Sequence, residues 1–159
     1  VRFEEHYDEQ PILLMTIGIP GSGKSTWINQ QKGFTVVSPD EIRRKLTGDI
    51  SNQASNQDVF RRVENFVRSY LQRGKNVILD ATNVNTELRR QFIDKMPKEI
   101  KLQAKIFEVD PEEAKRRIRK DVESGRERAN VPDDVIDRMQ TDFEKTLSVL
   151  EDEGFEIVQ

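Results

Sequence analysis

Nine residues, Gly18-Ile19-Pro20-Gly21-Ser22-Gly23-Lys24-Ser25-Thr26, fit the pattern G-x-x-x-x-G-K-[ST] and follow directly on the apolar run Ile12 to Ile17. A strand that ends in such a loop and re-enters the chain as a helix at Lys24 can be accommodated in few folds. The glycines let backbone N–H groups converge on phosphate oxygens, and the helix start adds positive potential. In that arrangement Gly18, Gly21, Ser22, Gly23, Lys24, Ser25 and Thr26 form a nucleotide cradle. Lys24 reaches the β and γ phosphates, Ser25 ligates Mg²⁺, and Thr26 meets the α phosphate. The expected cofactors are ATP, or another nucleoside triphosphate donor, and Mg²⁺.

The rest of the chain alternates in the way such a loop requires. Further strand-like runs occur at Phe34 to Val37, Asn76 to Asp80, Lys101 to Val109 and Phe155 to Val158. Between them, Asn56 to Arg73 carries Val59, Phe60, Val63, Phe66, Val67 and Tyr70 at three-to-four spacing and stops at Gly74. Asp110-Pro111-Glu112-Glu113 opens a helix that runs to about Ser124, and Pro132 opens another with Val135, Ile136, Met139, Phe143 and Leu147. This order predicts an α/β fold: three layers of the P-loop NTPase/kinase kind, with a mostly parallel sheet of four or five strands and helices on both faces. With 159 residues, one domain over residues 12–159 after an N-terminal extension at 1–11 is the expected organisation. The only long polar stretch is Gly48 to Gln57, read as a loop.

Composition narrows the chemistry. There is no Cys and a single His, which excludes thiolate catalysis, thiolate or histidine metal clusters and a Ser/His/Asp triad. Carboxylates, Lys, Arg and backbone remain. No apolar run approaches the roughly 18 residues of a membrane span, and Val1 to Gln10 lacks a signal pattern, so a cytoplasmic protein without a membrane partner is expected. A formal net charge of -3 argues against a broad nucleic-acid coat but leaves room for a local basic groove.

Two acids stand where ligands of an open α/β sheet bind, just past the carboxyl ends of strands. After the second strand, Ser38-Pro39-Asp40-Glu41-Ile42-Arg43 makes a capping box with Pro at the first helical position. Asp40 and Arg43 then share a face, with Ile42 and Leu46 on the buried side. Asp40 can accept a proton from an acceptor hydroxyl and Arg43 can hold an acceptor phosphate, although a first-turn acid also complements a helix dipole. After the third strand, Asp80 in Asp80-Ala81-Thr82-Asn83 takes the position of a Mg²⁺-holding acid, and Thr82 and Asn83 fall where they can line the acceptor site. Cations crowd the segment from Lys115 to Val131, most of them read as solvated helix face. Arg126, and after it Arg128, are the candidates for a Gly-hinged lid over the triphosphate.

In this order the chain resembles P-loop kinases of the polynucleotide 5′-hydroxyl kinase group, found in bacteriophage and bacterial end-healing enzymes. The resemblance spans roughly Leu13 to Leu147 and rests on the ordered set of phosphate loop, Asp-x-x-Arg, Asp-Ala-Thr-Asn, basic lid and Val-Pro helix. It implies that Lys24 and Ser25 handle ATP and Mg²⁺, that Asp40 is the general base on the 5′-hydroxyl, that Arg43 grips the acceptor phosphate, and that Arg126 is the lid arginine. The implied partner is a nucleic-acid 5′-OH end, contacted over a few nucleotides. Phage members of the group have an acid where this chain has Ala81, which bears on the role of Asp80. Three rivals share parts of the pattern: a small-molecule kinase acting on a nucleoside, nucleotide, antibiotic or sugar, a toxin-type kinase, and a nucleotide switch. The last lacks its Asp-x-x-Gly and Asn-Lys-x-Asp motifs here.

Overall fold

The computed structural model describes residues 10–47, 56–126 and 130–159. Five strands form the sheet: β1 (Ile12–Ile17), β2 (Thr35–Val37), β3 (Val77–Leu79), β4 (Lys101–Ile106) and β5 (Glu156–Val158). Their order is β2-β3-β1-β4-β5, and every pairing is parallel. Six helices accompany them: α1 (Lys24–Asn29), α2 (Pro39–Thr47), α3 (Asn56–Gln72), α4 (Thr86–Asp94), α5 (Pro111–Glu123) and α6 (Asp133–Leu147). The expected α/β fold with helices on both faces is present. Among the described residues no helix is long and apolar enough to cross a membrane.

Strand periodicity divides the core. Leu13, Met15 and Ile17 of β1 face one side, together with Val37, Val77, Leu79 and Ala104 of the neighbouring strands. Helices α3 to α6 bury their apolar rows against that side through Val63, Phe92, Ile118 and Ile136. The other side is thinner: Leu14 and Ile78 pack under Ile28 of α1, with Trp27 and Phe34 at the margin. Toward β4 and β5 this second face turns polar, and Gln103 Nε2 there donates to Glu156 Oε1 across 2.9 Å.

The helix ends follow local chemistry. Asp110 caps α5 by accepting from the Glu112 N–H at 3.3 Å, and Ser38 Oγ accepts from the Glu41 N–H at 3.3 Å. At the far end of α5, Gly125 N–H donates to Val122 O and Arg126 N–H to Asp121 O, with Gly125 at φ 78. These two bonds make a Schellman motif, so Gly125 ends the helix just past Ser124, where the sequence reading placed its end.

Some expected core positions differ. The buried row of α3 is Val59, Val63, Val67 and Leu71, an i, i+4 series, and it leaves Phe60 and Phe66 exposed on its two flanks. On α2 the inward positions are Pro39, Ile42 and Arg43, so Leu46 is exposed. Thr146 takes the buried place that Leu147 was expected to share, because its hydroxyl donates to Val84 O at 2.5 Å. Helix α4 had no counterpart in the sequence reading. Its face holds only Leu88, Phe92 and Ile93, and its best local signal is Asn85, whose side chain accepts from the Leu88 N–H at 3.0 Å. Of the Gly48 to Gln57 stretch, Asn56 and Gln57 belong to α3, while residues 48–55 lie outside the described residues.

Candidate active site

The phosphate loop joins β1 to α1 and is clamped on two sides. Gly18 N–H donates to Thr82 O at 3.1 Å, which ties the loop to the segment after β3. That amide faces the protein and not a phosphate, so Gly18 anchors the cradle instead of lining it. On the other side, Gly21 sits at φ 81 and a Cβ there would come within 2.9 Å of Ala114 O in α5. Only glycine permits both that backbone and that approach. Arg117 Nη1 donates to Gly21 O at 3.0 Å, so α5 docks on the loop through a side chain expected to be a solvated cation.

Lys24 reaches inward across the loop, its Nζ donating to Gly18 O and Ile19 O at 2.8 Å each and to Ser22 Oγ at 3.2 Å. Ser25 and Thr26, in the first turn of α1, are exposed to a broad cleft. The same cleft takes in Asp40, Arg43, Asp80, Thr82, Asn83 and Arg126. Arg128 lies outside the described residues.

Asp40 is exposed at the start of α2, and its Oδ1 accepts from Arg43 Nη1 at 2.7 Å. Arg43 is only 5% exposed and also donates from Nη2 to Asn56 Oδ1 at 2.8 Å, which links α2 to the start of α3. The shared face expected of the pair is therefore present, and Arg43 orients the carboxylate it neighbours. Asp80 lies at the end of β3, its N–H donating to Val37 O at 2.9 Å. Burial pushes its carboxyl above the ordinary carboxylate range, the Lys24 ammonium opposes this and the Asp40 carboxylate adds to it. A half-buried acid short of positive charge, a second carboxylate and the exposed Ser25 hydroxyl are hard oxygen donors suited to Mg²⁺ beside a triphosphate. Among the described residues no group of three or more His, Cys, Asp or Glu side chains is gathered as a metal cage.

The chain matches the model of an AAA domain family (AAA_33) over residues 13–146. The chain belongs to that family. A protein of Autographa californica nuclear polyhedrosis virus described as a bifunctional polynucleotide kinase/RNA ligase is 33% identical over 90 residues, 47% of this chain and 13% of the viral protein. In a structure of the Pnkp1/Rnl/Hen1 RNA repair complex, one chain superimposes with a TM-score of 0.75 at 26% identity, over 88% of this chain and 46% of that one. A second structure of that complex gives a TM-score of 0.61 at 29% identity, over 69% of this chain and 39% of that one. This AAA domain thus spans less than half the length of each of these relatives.

Behind the cleft, the AAA domain holds its β3 loop with Asn83 and with Arg89 and Glu153, the last two missed by sequence reasoning. Asn83, at φ 52, turns its amide inward and donates from Nδ2 to Thr16 O at 2.8 Å, Leu79 O at 3.2 Å and Ala81 O at 3.3 Å. That amide serves the fold, which narrows the acceptor-lining role expected of Asn83. Its carbonyl accepts from Arg89 Nη1 at 2.8 Å, and Arg89 in turn pairs with Glu153 at 2.7 Å, with both side chains buried. Nothing in Glu87-Leu88-Arg89-Arg90 marks which arginine is the buried one; the only hint is that Arg89 shares a helix face with Phe92.

The cations of α5 are less solvated than expected. Lys115 is buried between Glu112 and Asp137, at 2.7 and 2.8 Å, and these carboxylates hold its ammonium well above the ordinary range. It fastens α5 to α6. Arg126 is exposed, reaches Asp121 at 3.4 Å and borders a small cavity with Gly21, Gly23, Arg117 and Lys120.

Proposed function

We propose that the chain is a phosphotransferase that moves the γ-phosphate of ATP, or another nucleoside triphosphate, to the 5′-hydroxyl end of a polynucleotide. The observation that carries this reading is the placement of Asp40, oriented by buried Arg43, in one cleft with the phosphate loop. The names of the viral relative and of the repair complex support the polynucleotide acceptor.

In the proposed reaction, Asp40 takes the proton of the 5′-hydroxyl as its oxygen bonds to the γ-phosphorus, and the bond from that phosphorus to the β-phosphate oxygen breaks to release the diphosphate. Lys24 moves its ammonium from the loop carbonyls to the β and γ oxygens. Ser25 and Asp80 would hold Mg²⁺, which would supply neutralisation of phosphate charge. Arg126, just past the end of α5, brings positive charge over the transferred group. Arg43 keeps Asp40 in place and favours an acceptor that carries a phosphate of its own.

The test is transfer of labelled γ-phosphate to hydroxyl-ended oligonucleotides, nucleoside 3′-monophosphates, free nucleosides and sugars. The expected ranking puts oligonucleotides first, 3′-monophosphates measurable and free nucleosides poor, with Arg43→Ala erasing the gap between the last two. Nucleosides or sugars accepted as well as oligonucleotides would replace this reading with that of a small-molecule kinase.

A further inference from the structure

Two large apolar side chains remain exposed in the cleft that holds Asp40. Phe60 of α3 is 43% exposed and Leu88 of α4 is 60% exposed, and both line it. Their placement follows from the helices that carry them. Glu64 of α3 and Lys95, the C-cap of α4, pair at 3.1 Å, which ties these helices together. Phe60 lies one turn before Glu64, and Leu88 two turns before Lys95, so the helical period puts each on the same side as its bridge residue but nearer the helix start. The helix starts are the end where Asp40 and the phosphate loop sit. By contrast Phe66, on the opposite flank of α3, stacks on Tyr70 with ring centroids 6.5 Å apart.

Most of the positive charge lining this cleft is paired. Arg43 pairs with Asp40, Arg44 with Glu41, Arg61 with Asp58, Lys95 with Glu64 and Arg126 with Asp121. Each of these cations lines the cleft and has a carboxylate beside it, and the whole chain carries a net charge of -3. A polyanion gains little by counterion release on such a surface, so contacts other than charge must supply much of the affinity for a strand. Aromatic stacking on a base supplies such a contact and tolerates any sequence, because every base has a π-face.

We propose that Phe60 and Leu88 form a nucleobase subsite in which one of the first two bases of the acceptor strand stacks on the Phe60 ring and rests against Leu88. The subsite rests on the polynucleotide reading and adds a contact that selects an acceptor with a base over a bare sugar-phosphate end. Because stacking makes little use of base edges, discrimination among the four bases is weak while discrimination against a missing base is strong.

The test compares a 5′-hydroxyl oligonucleotide with matched strands that lack the base at the first or the second position. For the wild type, one of the two abasic strands raises the acceptor KM about tenfold, equivalent to about 1.4 kcal/mol, while kcat changes little. Phe60→Ala raises the KM of the intact strand to the abasic level and removes any further penalty for the missing base, with the KM for ATP unaltered; Phe60→Trp restores discrimination. An equal KM for intact and abasic strands, or an undiminished abasic penalty in Phe60→Ala, overturns the subsite while leaving polynucleotide transfer in place. A binding measurement covers the case of no transfer at all. Trp27 is the only tryptophan, so Trp27→Phe with Phe60→Trp places a single fluorophore in the groove. Quenching by the intact strand and not by the abasic one upholds the subsite, and no quenching overturns it whether or not phosphate moves.

Discussion

Asp40 and Asp80 are carboxylates at the ends of adjacent strands, and their surroundings drive them apart in role. Asp40 is exposed and held by a charge-assisted bond from Arg43, so its carboxylate is oriented at the cleft, within reach of an acceptor hydroxyl. Asp40→Asn keeps shape and the Arg43 contact but removes the base, and turnover is expected to fall by roughly 10² or more with ATP affinity nearly unchanged. Equal losses in both, measured by steady-state kinetics and nucleotide titration, would move Asp40 to a metal or structural role. Asp80 is different because burial raises its pKa. Its ionised form burdens the folded state at pH values above that raised pKa, and the burden lifts as pH falls through it and the folded protein takes up a proton. Asp80→Asn is therefore expected to raise Tm at neutral pH without nucleotide, with the gain shrinking toward acid, while transfer loses Mg²⁺ responsiveness. A lower Tm at neutral pH would show that the Asp80 carboxylate stabilises the fold. Both acids were legible in the sequence because each follows an apolar strand. The commitment of the Asn83 amide to three backbone carbonyls was not, because those acceptors are distant in sequence or depend on an unusual φ.

At the scale of elements, the cleft depends on how α4 meets the turn after α6. Arg89 is fully buried against Glu153, donates to Asn83 O and Thr146 Oγ1, and so connects α4, α6 and the β3 loop. Breaking one side of a buried pair leaves the other charge without its partner, at a cost of about 3–5 kcal/mol. Arg89→Met and Glu153→Gln should each lower stability by an amount of that order in denaturant unfolding. Combined, they should cost less than the sum, since the second change removes the charge the first one stranded. Strict additivity would mean that the pair does not act as a unit. Most of α1, α3, α5 and α6 could be read from glycines, prolines, caps and apolar rows, and the strands from short apolar runs. Helix α4 could not, because a helix that fills its inward face with an arginine carries too weak an apolar period to announce itself.

For the whole molecule, the question is how a chain with 29 acids and 26 bases engages a polyanion. The sequence left room for a local basic groove, but most cations lining the cleft are paired with Asp or Glu, Lys24 is bonded to loop oxygens, and Lys115 is buried in the joint between α5 and α6. A strand laid across this surface would displace few counterions. The apparent affinity for a 5′-hydroxyl oligonucleotide, followed from low to moderate salt, should then fall with a log-log slope of only about -1, as for contact with one or two phosphates. Lengthening the acceptor beyond a few nucleotides should leave both affinity and slope nearly unchanged, because most of the described cations lining the cleft already have a carboxylate partner. A slope of about -4 or steeper that grows with strand length would mean that the ion pairs open on binding to expose a continuous basic track, and the grip would then extend well beyond the terminal nucleotides.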